Sequence, residues 1–177
     1  MHAWTEPNEP LRLVQQPIPD HDNEPKALAC YGLLVTCPAG RSKTADQVWL
    51  RFVKGRPISG ITIQYLSWCC SKLEAMGKKA LLLIWDNAPW HVSKAVREWI
   101  REHNRQVRRS GTGVRIVSCY LPTKSPWLNP IEARWAHAKC KVAEPERTLS
   151  APELADRVCS HCGCTHEPHL ALPEPVS

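Results

Sequence analysis

The chain has 177 residues, of which 43% are hydrophobic and 23% charged, and this composition is typical of one globular domain. No stretch approaches the roughly 20 apolar residues that span a bilayer, and the N-terminus lacks a basic start followed by an apolar run, so neither a membrane span nor a secretory signal is expected. The nine cysteines therefore indicate free thiols or a metal site in a cytosolic protein, and the net charge of +6 favours a polyanionic partner only modestly.

Hydrophobic periodicity divides the chain into a proline-rich start and an alternating series of strands and helices. Residues 1–26 read as an extended lead-in with one short strand at Leu11–Val14. The predicted strands after it are Ala27–Val35, Val48–Val53, Ala80–Trp85 and Val114–Leu121. The predicted helices are Ile61–Met76, Val92–Arg108, Asn129–Lys141 and Pro152–Cys162. This order predicts the α/β class with a mixed or parallel sheet.

The first candidate for chemistry is Asp86, which directly follows the apolar strand Ala80–Trp85 and is followed by Asn87 and His91. The carboxyl ends of strands in open α/β sheets are where ligands bind. An Asp before Asn-Ala-Pro can equally nucleate a turn through its side chain. The local sequence leaves both interpretations open.

The second candidate is Glu132, at the start of a predicted helix. Asn129 suits the N-cap position and Pro130 the first helical position, so Glu132 falls where it can complete a capping box. A carboxylate here, after a strand and a stiff proline-rich loop, can instead be directed at a site beyond that loop. Local rules do not separate these two roles either.

Together the two segments resemble the DDE transposases of the mariner superfamily found in bacterial insertion sequences. In that family the second catalytic Asp begins an Asp-Asn-(Ala/Gly)-x-x-His motif, and the third acid ends a Leu-Pro-x-x-Ser-Pro-x-Leu-Asn-Pro-Ile-Glu motif with a Trp three residues later. The positions are filled here by Asp86, Asn87, Ala88, His91, Leu121, Pro122, Ser125, Pro126, Leu128, Asn129, Pro130, Ile131, Glu132 and Trp135.

The resemblance implies an RNase H-like fold, with a mixed sheet flanked by helices, and a site for two Mg²⁺ or Mn²⁺ ions. Asp86 and Glu132 would be its catalytic and metal-binding residues. The residues expected to orient the site or contact DNA are Asn87, His91, Lys124, Asn129, Arg134 and Lys139. The implied partners are transposon ends and target DNA, the implied assembly is a homodimer, and the implied location is the bacterial cytoplasm at the nucleoid.

The sequence departs from the family at the first acid, which belongs on the first, central strand of the sheet. Asp20, Asp22 and Asp46 lie in proline-rich or turn-like stretches and not at the end of an apolar strand. We therefore expect an incomplete catalytic domain at residues 27–145, without its first central strand, followed by a C-terminal helix and tail at 146–177. The alternative function is an inactive, truncated transposase remnant that at most binds DNA.

Two further clusters stand outside these motifs. Lys94, Arg97, Arg101, Arg105 and Arg108 recur at three and four residues along one helix face, which can follow a DNA backbone but is more often a solvated face. Cys159, His161, Cys162, Cys164 and His166 offer enough ligands for zinc, although the spacing lacks a second pair at a normal distance. A small zinc-binding module is thus a third hypothesis.

Overall fold

The computed structural model describes residues 28–37, 46–54, 57–142 and 149–170. Within them the order is β1 (Leu28–Val35), β2 (Gln47–Lys54), α1 (Ser59–Ala75), β3 (Ala80–Trp85), α2 (Lys94–Ser110), β4 (Arg115–Tyr120), a 3₁₀ turn (Pro126–Leu128), α3 (Pro130–Val142) and α4 (Ala151–Cys162). Each of the four strands and four helices predicted from residue 27 onward is confirmed. The lead-in at 1–26, with its predicted strand Leu11–Val14, lies outside the described residues.

The helix ends differ by up to two residues from the prediction, and at α2 a serine cap decides the start. α2 begins at Lys94 and not at Val92, since the Ser93 hydroxyl oxygen accepts a hydrogen bond from the Val96 amide (3.3 Å). The helix ends at Ser110, and the next residue, Gly111, has a φ of 71°, the left-handed conformation that glycine adopts readily. No helix in the described part of the chain is long and apolar enough to cross a membrane.

The described strands form two pairs, where the sequence predicted a mixed sheet lacking its first central strand. β1 and β2 are antiparallel, with Leu28 opposite Lys54, whereas β3 and β4 are parallel, with Ala80 opposite Arg115. Both orientations of a mixed sheet are therefore present, and the α/β class is confirmed. Among the described residues no strand pairing joins the two sheets.

Both strand pairs pack against α1, which places them on one side of a shared core. Tyr31 and Trp49 from the first pair and Leu83 from the second lie in this core with Ile61 and Leu66 of α1. The opposite face of the first pair is covered by α3 and α4, where Leu50 and Phe52 pack on Ala155 and Cys159. β1 and β2 are thus enclosed by helices on both faces.

The β3–β4 pair has helices on one face only within the described residues. Its other face carries Leu82, Ile84 and Val117, which are 62%, 47% and 48% exposed. Parallel strands are normally buried on both faces, because their crossover helices cover the sheet. This uncovered apolar face lies beside the strand that ends at Asp86.

Candidate active site

Asp86 is the first residue after β3, and its side chain holds the turn that follows. Its Oδ1 accepts a hydrogen bond from the Ala88 amide (3.1 Å), so the turn-forming role considered for this residue is present. The same Oδ1 lies 2.6 Å from Nδ1 of His91, five residues on. The Asp86 side chain remains 52% exposed, and its second oxygen has no protein partner among the described residues. One oxygen therefore fixes the loop and the other faces solvent.

A stack of rings positions His91 beside this carboxylate. The imidazole stacks on Trp85, with ring centroids 4.9 Å apart, and Trp85 stacks in turn on Tyr120 at 5.5 Å. Trp90 packs against the core and meets the His91 ring edge to face. His91 is thereby held on three sides and restrains Asp86.

Asn87 ties the Asp86 loop to the neighbouring strand. Its side-chain amide donates to the Leu121 carbonyl oxygen (2.6 Å), and the Leu121 amide donates to the Trp85 carbonyl oxygen (2.9 Å). The chain therefore leaves β4 at the edge of the sheet where Asp86 lies. Asn87 therefore fixes the backbone of this loop, and its role in orienting a catalytic site stays a prediction.

Glu132 lies in the first turn of α3 and its side chain is exposed. The capping box considered for it is not formed, because the Asn129 amide donates to the Pro126 carbonyl oxygen (2.9 Å). Within the described residues the Glu132 carboxylate has neither a hydrogen bond nor an ion pair. The carboxylate is thus free of the local structural role that the sequence allowed.

The motif tryptophan, Trp135, fixes the position of this helix. Its ring lies against Gly32 of β1 so closely that a Cβ at residue 32 would overlap it, and Ile131 contacts the same position. Gly32 was not recognised as important from the sequence. Its signal is a lone glycine inside an apolar strand, which often marks a close approach of another element. Gly32 therefore sets where α3, and with it Glu132, sits.

The other predicted site residues lie around α3 but do not converge. Lys124 is exposed and has a φ of 58°, the left-handed region that few non-glycine residues adopt. Asn129 precedes α3 in extended conformation. Lys139 is two turns beyond Glu132 on the same helix face, whereas Arg134 lies on the opposite side, near Cys162. Lys139 thus shares a surface with Glu132 and Arg134 does not.

The donor chemistry fits a hard divalent cation, but the number of donors is too small. Mg²⁺ prefers carboxylate oxygens, and Asp86 and Glu132 each present an oxygen that none of the described residues binds. In the part of the chain that the structure describes, no group of three or more His, Cys, Asp or Glu side chains is arranged to hold a metal ion. Two carboxylates alone do not make a two-metal site.

The cysteine cluster proposed for zinc forms a packed thiol group. All nine cysteines are free, and Cys30, Cys159, Cys162 and Cys164 pack around the core between β1–β2 and α4. Burial, together with the neighbouring thiols, raises the pKa of Cys159 to about 12 and also raises the pKa of Cys30. Burial likewise raises the pKa of Cys69 to about 12. These thiols are protonated near neutral pH, which makes them unreactive.

Alkylation should therefore divide the cysteines by position. At pH 8 we expect iodoacetamide to modify the exposed Cys119 and Cys140 quickly and to leave Cys69 and Cys159 unmodified in the folded protein. Because the folded-state pKa of the buried thiols exceeds the ordinary value of 9.0, their contribution to stability is complete below pH 9 and declines as the pH rises further. Peptide mass mapping at pH 8 tests the labelling pattern. Denaturant unfolding at pH 8 and pH 10 tests the loss of stability. Equal labelling of Cys69 and Cys119, or unchanged stability at pH 10, would contradict them.

Comparison with known proteins addresses the identity of this site. No curated protein and no solved structure matches the chain at significant similarity. The family model described as DDE superfamily endonuclease matches residues 46–155, which is more than half of the chain and includes both Asp86 and Glu132. The chain belongs to the DDE superfamily endonucleases.

Proposed function

We propose that this chain is the catalytic part of a mariner-like bacterial insertion-sequence transposase, in which Asp86 and Glu132 are the second and third acids of a metal-dependent DNA cleavage and strand-transfer site. The observation that carries the proposal is the state of the two carboxylates. Each stands in its family motif, and each keeps at least one oxygen that no described residue engages. The partners would be transposon ends and target DNA, bound by a homodimer at the nucleoid in the cytoplasm.

Divalent metal, when bound, would activate the attacking water or 3′-hydroxyl and stabilise the leaving oxygen. The residues of this chain would hold the site and the DNA in position for that reaction. Asp86 and Glu132 would each offer a carboxylate oxygen, and the bond from His91 would hold Asp86 in one orientation. Asn87 and Asn129 would fix the two loops, while Lys124 and Lys139 would face DNA phosphates.

We infer further that the described residues lack the central strand expected to carry the first acid. Two features support this. The two strand pairs are not joined to each other, although both pack on α1. Unpaired strand edges are a liability that proteins normally cover or pair.

The second candidate function is a transposase remnant that binds DNA without cutting it. The observation in its favour is that the described residues provide no third metal ligand next to Asp86 or Glu132. The two candidates differ in one property, since only a catalytic site needs both carboxylates for divalent-metal chemistry.

Nicking of supercoiled plasmid in Mn²⁺ or Mg²⁺ separates the candidates. Because the first acid is missing from the described site, we expect the chain alone to nick slowly, and Mn²⁺ to support more nicking than Mg²⁺. Asp86→Asn and Glu132→Gln should each abolish this activity, because a neutral amide is a poor ligand for a hard cation. The matched control is Glu98→Gln, which removes an exposed carboxylate on α2 that pairs with Lys94.

Nicking that disappears in both site variants and persists in Glu98→Gln supports the catalytic proposal. Nicking that persists in Asp86→Asn and Glu132→Gln overturns it, since the cleavage then arises elsewhere. DNA binding with no nicking by the wild-type chain in either metal supports the remnant. Efficient Mg²⁺-dependent nicking by the chain alone contradicts the inference of a missing first acid.

A further inference from the structure

A shallow groove lined by arginines lies at the far end of α2 from Asp86. Its walls are Arg101, Arg105 and Arg108 of α2 and Arg115 at the start of β4, with Asn104 between them, and its volume is about 360 Å³. We call this surface the arginine groove. Every residue that lines it is polar, and four of the five are guanidinium groups. A ligand in the groove therefore meets several positive charges at once.

The charges in the arginine groove are largely uncompensated. Arg105 pairs with Glu102, three residues earlier on the helix. Within the described residues, no carboxylate pairs with Arg101, Arg108 or Arg115. Like charges grouped in one concave surface repel each other and focus a positive potential, which favours an anion in the groove.

Helix-dipole stabilisation explains only part of this arrangement. A cation in the last turn of a helix interacts favourably with the dipole, which accounts for Arg108. It does not account for Arg101, which lies two turns earlier, or for Arg115, which is on a strand. These three side chains share the groove rather than a common place in secondary structure.

Asn104 fixes the two walls against each other. Its Nδ2 donates to the Ile116 carbonyl oxygen (2.7 Å), and its Oδ1 accepts from the Ile116 amide (2.8 Å). This pair of bonds sets the register between α2 and β4, so Arg108 and Arg115 are held on one surface. Planar guanidinium groups on a fixed scaffold suit phosphate, which they bind through two parallel hydrogen bonds.

The arginine groove also continues into a longer row of cations. Lys94 and Arg97 lie on the same face of α2 and extend the row toward the Asp86 loop, over roughly 21 Å at 1.5 Å per residue. A DNA duplex carries phosphates closely spaced along both strands, so a row of this length can meet several phosphates. An extended polyanion matches the row better than a single small anion.

We propose that the arginine groove binds the phosphodiester backbone of duplex DNA, as an anchoring contact roughly 20 Å from Asp86 along α2. This rests on the proposed function, since it assigns that DNA a second contact on this chain away from the carboxylates. The groove contributes affinity that depends on salt and not on base sequence, because guanidinium–phosphate contacts displace counterions from the duplex.

The test measures DNA binding without cleavage. Fluorescence anisotropy of a labelled duplex of about two helical turns is recorded in EDTA between about 50 and 200 mM salt. Replacing Arg101, Arg108 and Arg115 together with Gln should weaken binding and lower the slope of log K against log salt by about 2.7, at about 0.9 per phosphate contact. The one-for-one control compares Arg108→Gln with Arg109→Gln, its neighbour in the same helix turn, which does not line the groove.

The proposal expects a lower slope for Arg108→Gln than for Arg109→Gln. If the triple variant retains the wild-type slope and affinity, the groove assignment is overturned, while DNA binding elsewhere leaves the proposed function standing. If the wild-type chain does not bind duplex DNA at about 50 mM salt, both fail. If the groove variants lose DNA binding but Asp86→Asn and Glu132→Gln have no effect on nicking, only the catalytic proposal fails.

Discussion

Replacing Gly32 with alanine is expected to lower the free energy of unfolding by about 1–3 kcal/mol, the usual cost of overpacking a filled contact. The added Cβ would overlap the Trp135 ring and crowd Ile131, so α3 has to move away from β1. Alanine favours a strand more than glycine does, and the predicted loss is what remains after that gain. Because Glu132 begins the same helix, any metal-dependent nicking should fall as well. Denaturant unfolding and the plasmid assay measure the two effects.

A double-mutant cycle identifies the cause of this effect. Phe at position 135 is shorter than Trp and leaves room for the new methyl group, so the cost of Gly32→Ala should shrink by at least about 0.5 kcal/mol in a Trp135→Phe background. An equal cost in both backgrounds would contradict the assignment of Trp135 as the helix anchor.

Replacing Asn104 with alanine is expected to cost about 2–4 kcal/mol, since it leaves both the amide and the carbonyl of Ile116 without partners. Ile116 is 2% exposed, so water replaces these bonds poorly. Loss of the bonds also bares the outer edge of β4, which should increase aggregation. Chemical denaturation with light scattering measures both consequences.

The matched control for Asn104 is Gln106→Ala, an exposed polar residue two positions along the same helix. Its effect should stay within about 0.5 kcal/mol, as for most surface substitutions. Equal unfolding midpoints for the two variants would show that the Asn104 bonds contribute nothing to stability.

Element type and order could be read from the sequence because each segment has a clear period and clear ends. Ala80–Trp85 is a short apolar run ended by a turn, and α2 shows helical spacing with a glycine after it. The pairing of the strands was harder to predict from the sequence. Hydrophobic periodicity reports which residues are buried and not which strand edges meet, so it did not predict which of the described strands pair.

The site could be predicted only where chemistry and local sequence coincide. The motifs nominated Asp86 and Glu132, and the structure adds that Asn87 and His91 hold the Asp86 loop. Local rules could not decide whether Glu132 caps its helix or has a free carboxylate. The Asn129 amide, which a cap would use, donates instead to the Pro126 carbonyl oxygen, and that bond depends on the fold of the loop. The roles of Gly32 and Asn104 depend on contacts across 103 and 12 positions of sequence, which a local pattern does not reveal.

We propose that Asp86 and Glu132 serve one divalent-cation site, and Mn²⁺ binding, followed by the electron paramagnetic resonance of the free ion, tests this proposal. The wild-type chain should bind Mn²⁺ weakly. Asp86→Asn and Glu132→Gln should each weaken that binding by more than about tenfold. Mutating a residue that only hydrogen-bonds to a metal ligand already lowers metal affinity by about 10–100-fold. Glu98→Gln should bind Mn²⁺ as the wild type does. Identical Mn²⁺ affinity in the wild type and in both site variants would contradict a shared cation site at Asp86 and Glu132.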